Sequence, residues 1–140
     1  MWYVNRIKKI WALQFLLATL FLVACNTEEP PTLGTLIVND VTSDVIQCCV
    51  AVSDATPDDY GFYYATSKSE AEKATANKVK GTYNSNYING SIERLTPNTV
   101  YYIRAYAMNV SGRVYTKTIE VRTLPRTPQS NDNKYPDIYF

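Results

Sequence analysis

The stretch Leu95–Pro125, LTPNTVYYIRAYAMNVSGRVYTKTIEVRTLP, decides the fold. Pro97 presets its own φ and Asn98 tolerates unusual backbone angles, so the segment opens on a turn. Thr99–Ala107 is then rich in aromatic and β-branched residues, the composition of a strand. A period of two divides it into faces. Tyr101, Ile103, Ala105 and Ala107 form a mostly apolar face directed at a core. Tyr102, Arg104 and Tyr106 form the opposite face, directed at solvent or a partner. Asn109–Gly112 has hairpin-loop composition, and Val114–Thr123 alternates again, with Ile119 and Val121 inward. A turn, a strand, a loop and a strand make the closing half of a β-sandwich.

Working outward, the remaining strands fall upstream. Leu36–Val41 reads as strand A. Val45–Val52 reads as strand B, with Ile46, Cys48, Val50 and Val52 inward. Tyr60–Ala65 reads as strand C, with Phe62 and Tyr64 inward and Tyr63 outward. Lys78–Tyr83 reads as a short edge strand, and Ile88, Gly90 and Ile92 alternate toward Leu95 as strand E. Ser67–Lys80 is the least sheet-like piece. Ser69–Glu72 has capping-box spacing and Ala71, Ala74 and Ala76 favour helix, so one or two helical turns are expected between the sheets. The expected fold class is all-β: a single seven-stranded immunoglobulin-like sandwich (strands A, B, C, C′, E, F and G) with a short helical connection.

The closing stretch also resembles the fibronectin type III family, in the version common in lipoproteins of Bacteroides-like bacteria. The residues that carry the resemblance are Leu95-x-Pro97-x-Thr99-x-Tyr101, Tyr102-x-Arg104-Ala105-Tyr106-Ala107-x-Asn109, then Gly112 and Tyr115, with Gly61-Phe62-x-Tyr64 upstream. The resemblance implies that Leu95, Pro97 and Tyr101 form a tyrosine corner, the Tyr101 hydroxyl bonding back to upstream backbone ahead of strand F. It is specific for a fold and not for a function.

The chain begins with a different signature. Met1–Lys9 carries Arg6, Lys8 and Lys9 and no acid, Ile10–Val23 is apolar apart from Gln14 and Thr19, and Cys25 follows Leu22-Val23-Ala24. A basic head, a short apolar run and small residues at its end describe a secretory signal peptide. The run is too short for the roughly 20 residues of a spanning helix. Leu-Val-Ala-Cys is similar to the lipobox of bacterial lipoproteins, which implies cleavage before Cys25 and acylation of its thiol. Glu28-Glu29 resembles, in part, a surface-export signal; a solvated tether is the alternative. The expected organisation is residues 1–24 signal peptide, 25–34 lipidated tether stiffened by Pro30-Pro31, 35–125 sandwich and 126–140 tail. Tyr135–Phe140 regains apolar character and would either dock on the domain or be taken up by another protein as an added strand.

Charge and chemistry narrow the function. The chain has 14 Lys and Arg against 13 Asp and Glu; three basic residues depart with residues 1–24, leaving 11 against 13. Such a balance has no nucleic-acid footprint. No His is present, so the commonest general base is missing, and neither a Gly-rich phosphate loop nor a nucleophile elbow occurs. The acid pairs Asp58/Asp59 and Glu70/Glu72 sit in connections that read as exposed. No enzyme activity, cofactor or metal is expected, with calcium at Asp54, Asp58 and Asp59 the one metal alternative. Cys48 and Cys49 are strand neighbours and point to opposite faces, one buried and one exposed; Cys49 is then free for an intermolecular bond in an oxidising envelope.

Strands C, F and G share a sheet in such a sandwich, so Tyr63, Tyr102, Arg104, Tyr106 and Tyr115 are expected on one outer face. Tyr and Arg are enriched at binding hot spots. The same residues also stabilise sheets through cross-strand and cation–π contacts with no partner involved. The expectation is a non-catalytic interaction module of the bacterial envelope, held at a membrane by lipid, in the outer membrane or at the cell surface, with an envelope protein as partner. A glycan-binding lipoprotein is one alternative, weakened because both Trp residues, Trp2 and Trp11, lie in the signal. A passive spacer or assembly subunit is the other.

Overall fold

The computed structural model describes residues 28–128. Among them the chain forms ten strand segments and one helical turn: β1 Thr32–Leu33, β2 Ile37–Val41, β3 Ile46–Ser53, β4 Asp59–Ala65, α1 Lys68–Ala71, β5 Asn77–Lys80, β6 Thr82–Asn84, β7 Tyr87–Ile92, β8 Val100–Asn109, β9 Gly112–Tyr115 and β10 Ile119–Arg122. They make two five-stranded antiparallel sheets. One runs β1-β3-β7-β6 with β2 also on β3; the other runs β10-β8-β4-β5 with β9 also on β8. The expected sandwich is therefore the fold.

The ten segments replace seven expected strands because three strands are divided. Strand A is β1 plus β2, both on the same edge of β3. Strand G is β9 plus β10, and the pairing with β8 slips by one residue between them: Tyr106 faces Tyr115, whereas Ile103 faces Ile119. Thr116 bridges this bulge, its hydroxyl accepting from the Ala105 N–H at 2.9 Å and its own N–H donating to the Ala105 carbonyl at 3.0 Å. The slip is why Val114 and Ile119, an odd number of positions apart, both pack on the core. The edge strand expected over 78–83 is the third case. It breaks at Gly81, so that β5 pairs with β4 in one sheet and β6 with β7 in the other.

The crossing between sheets is therefore at Gly81 and not at the helix. The helix belongs to a connection within one sheet, β4 to β5. Its cap is Ser67, whose hydroxyl accepts from the Glu70 N–H at 3.3 Å, two residues before the expected Ser69. Both serines offer a cap with Glu three residues on; the β4 strand ends at Ala65, and that sets which one is used.

The core matches the alternation in strands B, C, E and F. Ile46, Cys48, Val50, Val52, Phe62, Ile88, Ile92, Tyr101, Ile103, Ala105 and Ala107 are buried in one cluster. Gly90 faces the ring of Phe62 so closely that a Cβ there would overlap it, which explains a glycine at an inward position of β7. At the corner before β8, Asn98 takes φ 51°. The Tyr101 hydroxyl accepts from the Thr96 N–H at 2.9 Å, and Leu95 is buried beside it with its N–H on the Asp44 carbonyl. Thr123, 1% exposed, completes the corner: its hydroxyl donates to the Thr96 carbonyl at 2.7 Å and accepts from the Thr99 N–H at 3.0 Å.

The N-terminal side differs from expectation. Residues 30–34 were expected in a free tether, yet Pro31 is fully buried and Thr32 and Leu33 pair with Ser53 and Val52. The sandwich absorbs them because Leu33 packs on the core. Signal residues 1–24, Cys25 and tail residues 129–140, Tyr135–Phe140 included, lie outside the described residues.

Candidate binding face

The five expected face residues come from three neighbouring strands. β4 supplies Tyr63, β8 supplies Tyr102, Arg104 and Tyr106, and β9 supplies Tyr115. Register sets Tyr63 opposite Arg104, Tyr106 opposite Tyr115, and Tyr102 opposite Ala65 and Glu120. All five side chains thus point away from the core, as the period of two requires.

Their exposure is uneven, and this corrects the expectation of an open face. Tyr106 is 0% exposed and Tyr63 is 4% exposed, whereas Tyr115 is 40% exposed; Tyr102 and Arg104 are half-buried. The face itself covers the buried pair. Tyr63 packs at 5.0 Å from Tyr106 and 6.3 Å from Tyr115, centroid to centroid. The Lys78 Nζ lies 4.5 Å from the Tyr106 ring centre and the Arg113 guanidinium 5.8 Å. Arg104 lies 4.1 Å from the Tyr115 ring and 5.4 Å from that of Tyr63. Alongside, α1 packs against β4 and β8 with Ala71 fully buried. Alternation says which side of a sheet a residue occupies, and not what lies on top of it.

Asp59 anchors the cluster. Its carboxylate accepts from the Tyr106 hydroxyl at 3.0 Å and pairs with the Lys78 ammonium at 3.1 Å. Desolvation works to raise the Asp59 carboxyl, but the hydrogen bonds and charge of Lys78 and Tyr106 outweigh it and hold the group below its ordinary value. Lys78 is held above its ordinary value by the Tyr106 hydroxyl first, against desolvation, and by Asp59. Burial first, then the hydrogen bond to Asp59 and its charge, push the Tyr106 phenol upward against the pull of Lys78. Asp59 is thus occupied, and Asp54, Asp58 and Asp59 do not assemble as ligands: among the described residues no three His, Cys, Asp or Glu side chains come together.

What stays open lies along the bulge of strand G. A shallow groove there is lined by Lys68 and Glu72 of the α1 connection, Arg104, Thr116, Lys117 and Thr118. The Thr118 hydroxyl donates to Glu72 at 3.0 Å. Three cations face one carboxylate that already has a partner. The Arg104 Nε is a buried atom with no hydrogen-bond partner among the described residues, an arrangement that costs stability unless an acceptor arrives. The groove is the part of the site that sequence reading missed. The one-residue slip that creates it leaves only a weak mark in the sequence, two threonines at 116 and 118 interrupting an apolar alternation.

Solved structures similar to this arrangement include fibronectin type III domains. A human fibronectin type III domain, of fibronectin type III domain containing protein 3, matches with TM-score 0.50 at 15% identity, covering 77% of this chain and 98% of that one. The fourth such domain of a human protein matches with TM-score 0.50 at 16% identity, covering 78% and 93%. The chicken CNTN1 FN1-FN3 domains match with TM-score 0.50 at 27% identity over 66% of this chain. This chain spans about a third, 32%, of that three-domain structure. No family model matches the chain, and no curated protein does. The described residues therefore form a fibronectin type III-like sandwich, and these likenesses establish the fold alone.

Proposed function

We propose that this protein is a non-catalytic interaction module of the bacterial cell envelope, held at the membrane by acylated Cys25, with an envelope protein as partner. The lipobox-like Leu22-Val23-Ala24-Cys25 behind a basic, apolar head supports the anchor, and several acyl chains together hold stably where one would be marginal. No helix among the described residues is long and apolar enough to cross a membrane.

The observation that carries the binding role is the groove beside Tyr115. It combines a guanidinium with an unused buried donor and two exposed lysines, and the half-exposed Tyr115 ring lies next to it under Arg104. Arg and Tyr in a partly desolvated pocket are the composition of an interface anchor, and the excess of cations selects a partner that presents carboxylates. The glycan-binding alternative loses support on the same face. A sugar needs open ring surfaces, and Tyr63 and Tyr106 are buried while Arg104 lies over Tyr115.

The test is a pull-down of the acylated protein from its native membrane in mild detergent, read by mass spectrometry. The informative variant pairs Tyr102→Ala with Tyr115→Ala and spares Tyr106, whose ring is structural. A stoichiometric partner retained by wild type and lost by the double variant, with the domain still folded, is the expected result. Retention by the double variant would remove this face from the function.

A further inference from the structure

The described chain begins beside the turn that joins β8 to β9, and it is held there. The Asn109 side-chain amide donates to the Glu29 carbonyl at 2.7 Å, and the Ser111 hydroxyl donates to the Glu28 carbonyl. Asn109 is buried, and its Oδ1 also accepts from the Ser111 and Gly112 N–H groups at 3.0 and 3.2 Å, fixing the turn to which the N-terminal residues bind. Pro31 is fully buried two residues further on, and β1 then pairs with the end of β3. Glu28–Leu33 is therefore part of the domain rather than a leash.

At the tip of the same turn stands Val110, 83% exposed, the most exposed of the large hydrophobic residues in the described chain. A two-residue turn in water has no need of a β-branched aliphatic residue there, since Asn, Asp, Gly and Ser serve better.

We propose that this turn is the membrane-facing end of the domain and that Val110 sits at the phospholipid interface. The inference rests on the acylation of Cys25 proposed above. Three peptide steps separate Cys25 from Glu28, and a chain covers at most about 3.6 Å per residue, or about 11 Å in all. An acylated Cys25 therefore holds Glu28 within about 11 Å of itself, whatever path those residues take, and the turn is one hydrogen bond further on. The occupant is the apolar and headgroup boundary of a bilayer and not an anionic lipid surface. Glu28, Glu29, Asp54 and Asp58 lie toward this end, against Arg113 and a Lys78 already paired with Asp59, so acids prevail and attraction to anionic headgroups is not available. The orientation also stands the sheets upright, so that the groove beside Tyr115 opens sideways to a neighbouring envelope protein.

The experiment uses acylated protein beginning at Cys25, otherwise whole, in phosphatidylcholine vesicles that carry a brominated lipid as quencher. The mature chain contains no Trp, because Trp2 and Trp11 both precede Cys25, so one introduced Trp is a clean reporter. Val110→Trp tests the turn. Glu93→Trp, at the exposed far end of β7, tests the opposite pole. The expected result is loss of emission and a blue shift for Val110→Trp and neither for Glu93→Trp, unchanged by added salt. Equal quenching of both reporters, or of neither, overturns the inference if mass spectrometry shows acyl chains on Cys25. Absence of acyl chains overturns the anchor and this orientation together.

Discussion

The two outer faces of this sandwich are built on opposite principles. Outside β4, β8 and β9, four side chains with rings or guanidinium groups stack on one another, and Asp59 and Lys78 tie the stack to its edge. The result is a second, polar-aromatic core on what the strand pattern makes a solvent side. Outside β3 and β7, the corresponding positions are Gln47, Cys49 and Ala51 against Ser91, Asn89 and Tyr87. These are small or amide side chains, and the large one, Tyr87, is 46% exposed. The same period of two produced both faces. Side-chain size and the stacking of rings with cations made one of them structural. Chemistry that resembles a binding hot spot can be consumed in holding the sheet, and only its margin is left for a partner.

The sharpest way to break this comparison is to remove one tyrosine from each face. Tyr106→Ala deletes a ring with no exposure, together with its hydrogen bond to Asp59, and should cost about 3–5 kcal/mol, the range of large aromatic truncations in cores. Tyr87→Ala removes a half-exposed ring from the other face and should cost less than about 0.5 kcal/mol. Chemical denaturation of both variants checks the pair. Comparable losses would mean that the first face is no more structural than the second.

The difference between the faces explains what the sequence could and could not disclose. Strands B, C, E and F, with their inward residues, were legible because alternation is local and the apolar set is unmistakable. The corner was legible too, in Leu95, Pro97, Asn98 and Tyr101. The interruptions were not: a one-residue slip at Thr116, the break at Gly81 and the capture of Pro31 depend on pairing partners far along the chain. Within the site, the side of every residue could be read from parity. Cover could not, because Tyr106 is covered by Lys78 and Tyr63, and Tyr63 by Arg104, partners far apart in sequence. Sequence places side chains on faces; packing decides which of them solvent can reach.

A smaller effect sharpens the electrostatic half of the contrast. The folded Asp59 carboxyl lies below its ordinary value, so its contribution is present above the ordinary carboxylate range and is lost as pH falls through the lowered folded value. Lys78 is shifted upward, so its contribution is complete below the ordinary lysine value and is lost as pH rises through the raised folded one. Asp59→Asn should therefore cost about 1 kcal/mol near neutral pH, a charged hydrogen bond discounted for an ion pair about a third exposed. The gap to wild type should close in acid. Denaturation midpoints across pH for the two proteins measure it; a gap independent of pH would assign the cost to packing instead.

The smallest effect on stability comes from the other face, and it is a difference in reactivity. Cys48 and Cys49 are adjacent on β3, one inward and one outward. The Cys48 thiol is pushed up to about 12, by burial first and by the neighbouring Cys49 second, so it offers almost no thiolate at mildly alkaline pH. Cys49 is half-buried, and its Sγ–H donates to Asn39 at 3.4 Å on the polar outer face. A thiol-alkylating reagent, with peptide mass mapping, should modify Cys49 in the folded protein and both residues in denaturant. The contrast matters because the face around Cys49 has no aromatic stack to occlude it, whereas a thiol placed at Tyr63 or Tyr106 would be covered. Equal labelling of Cys48 and Cys49 in the folded state would mean that β3 opens readily, and the contrast between its packed inner side and its open outer face would then fail.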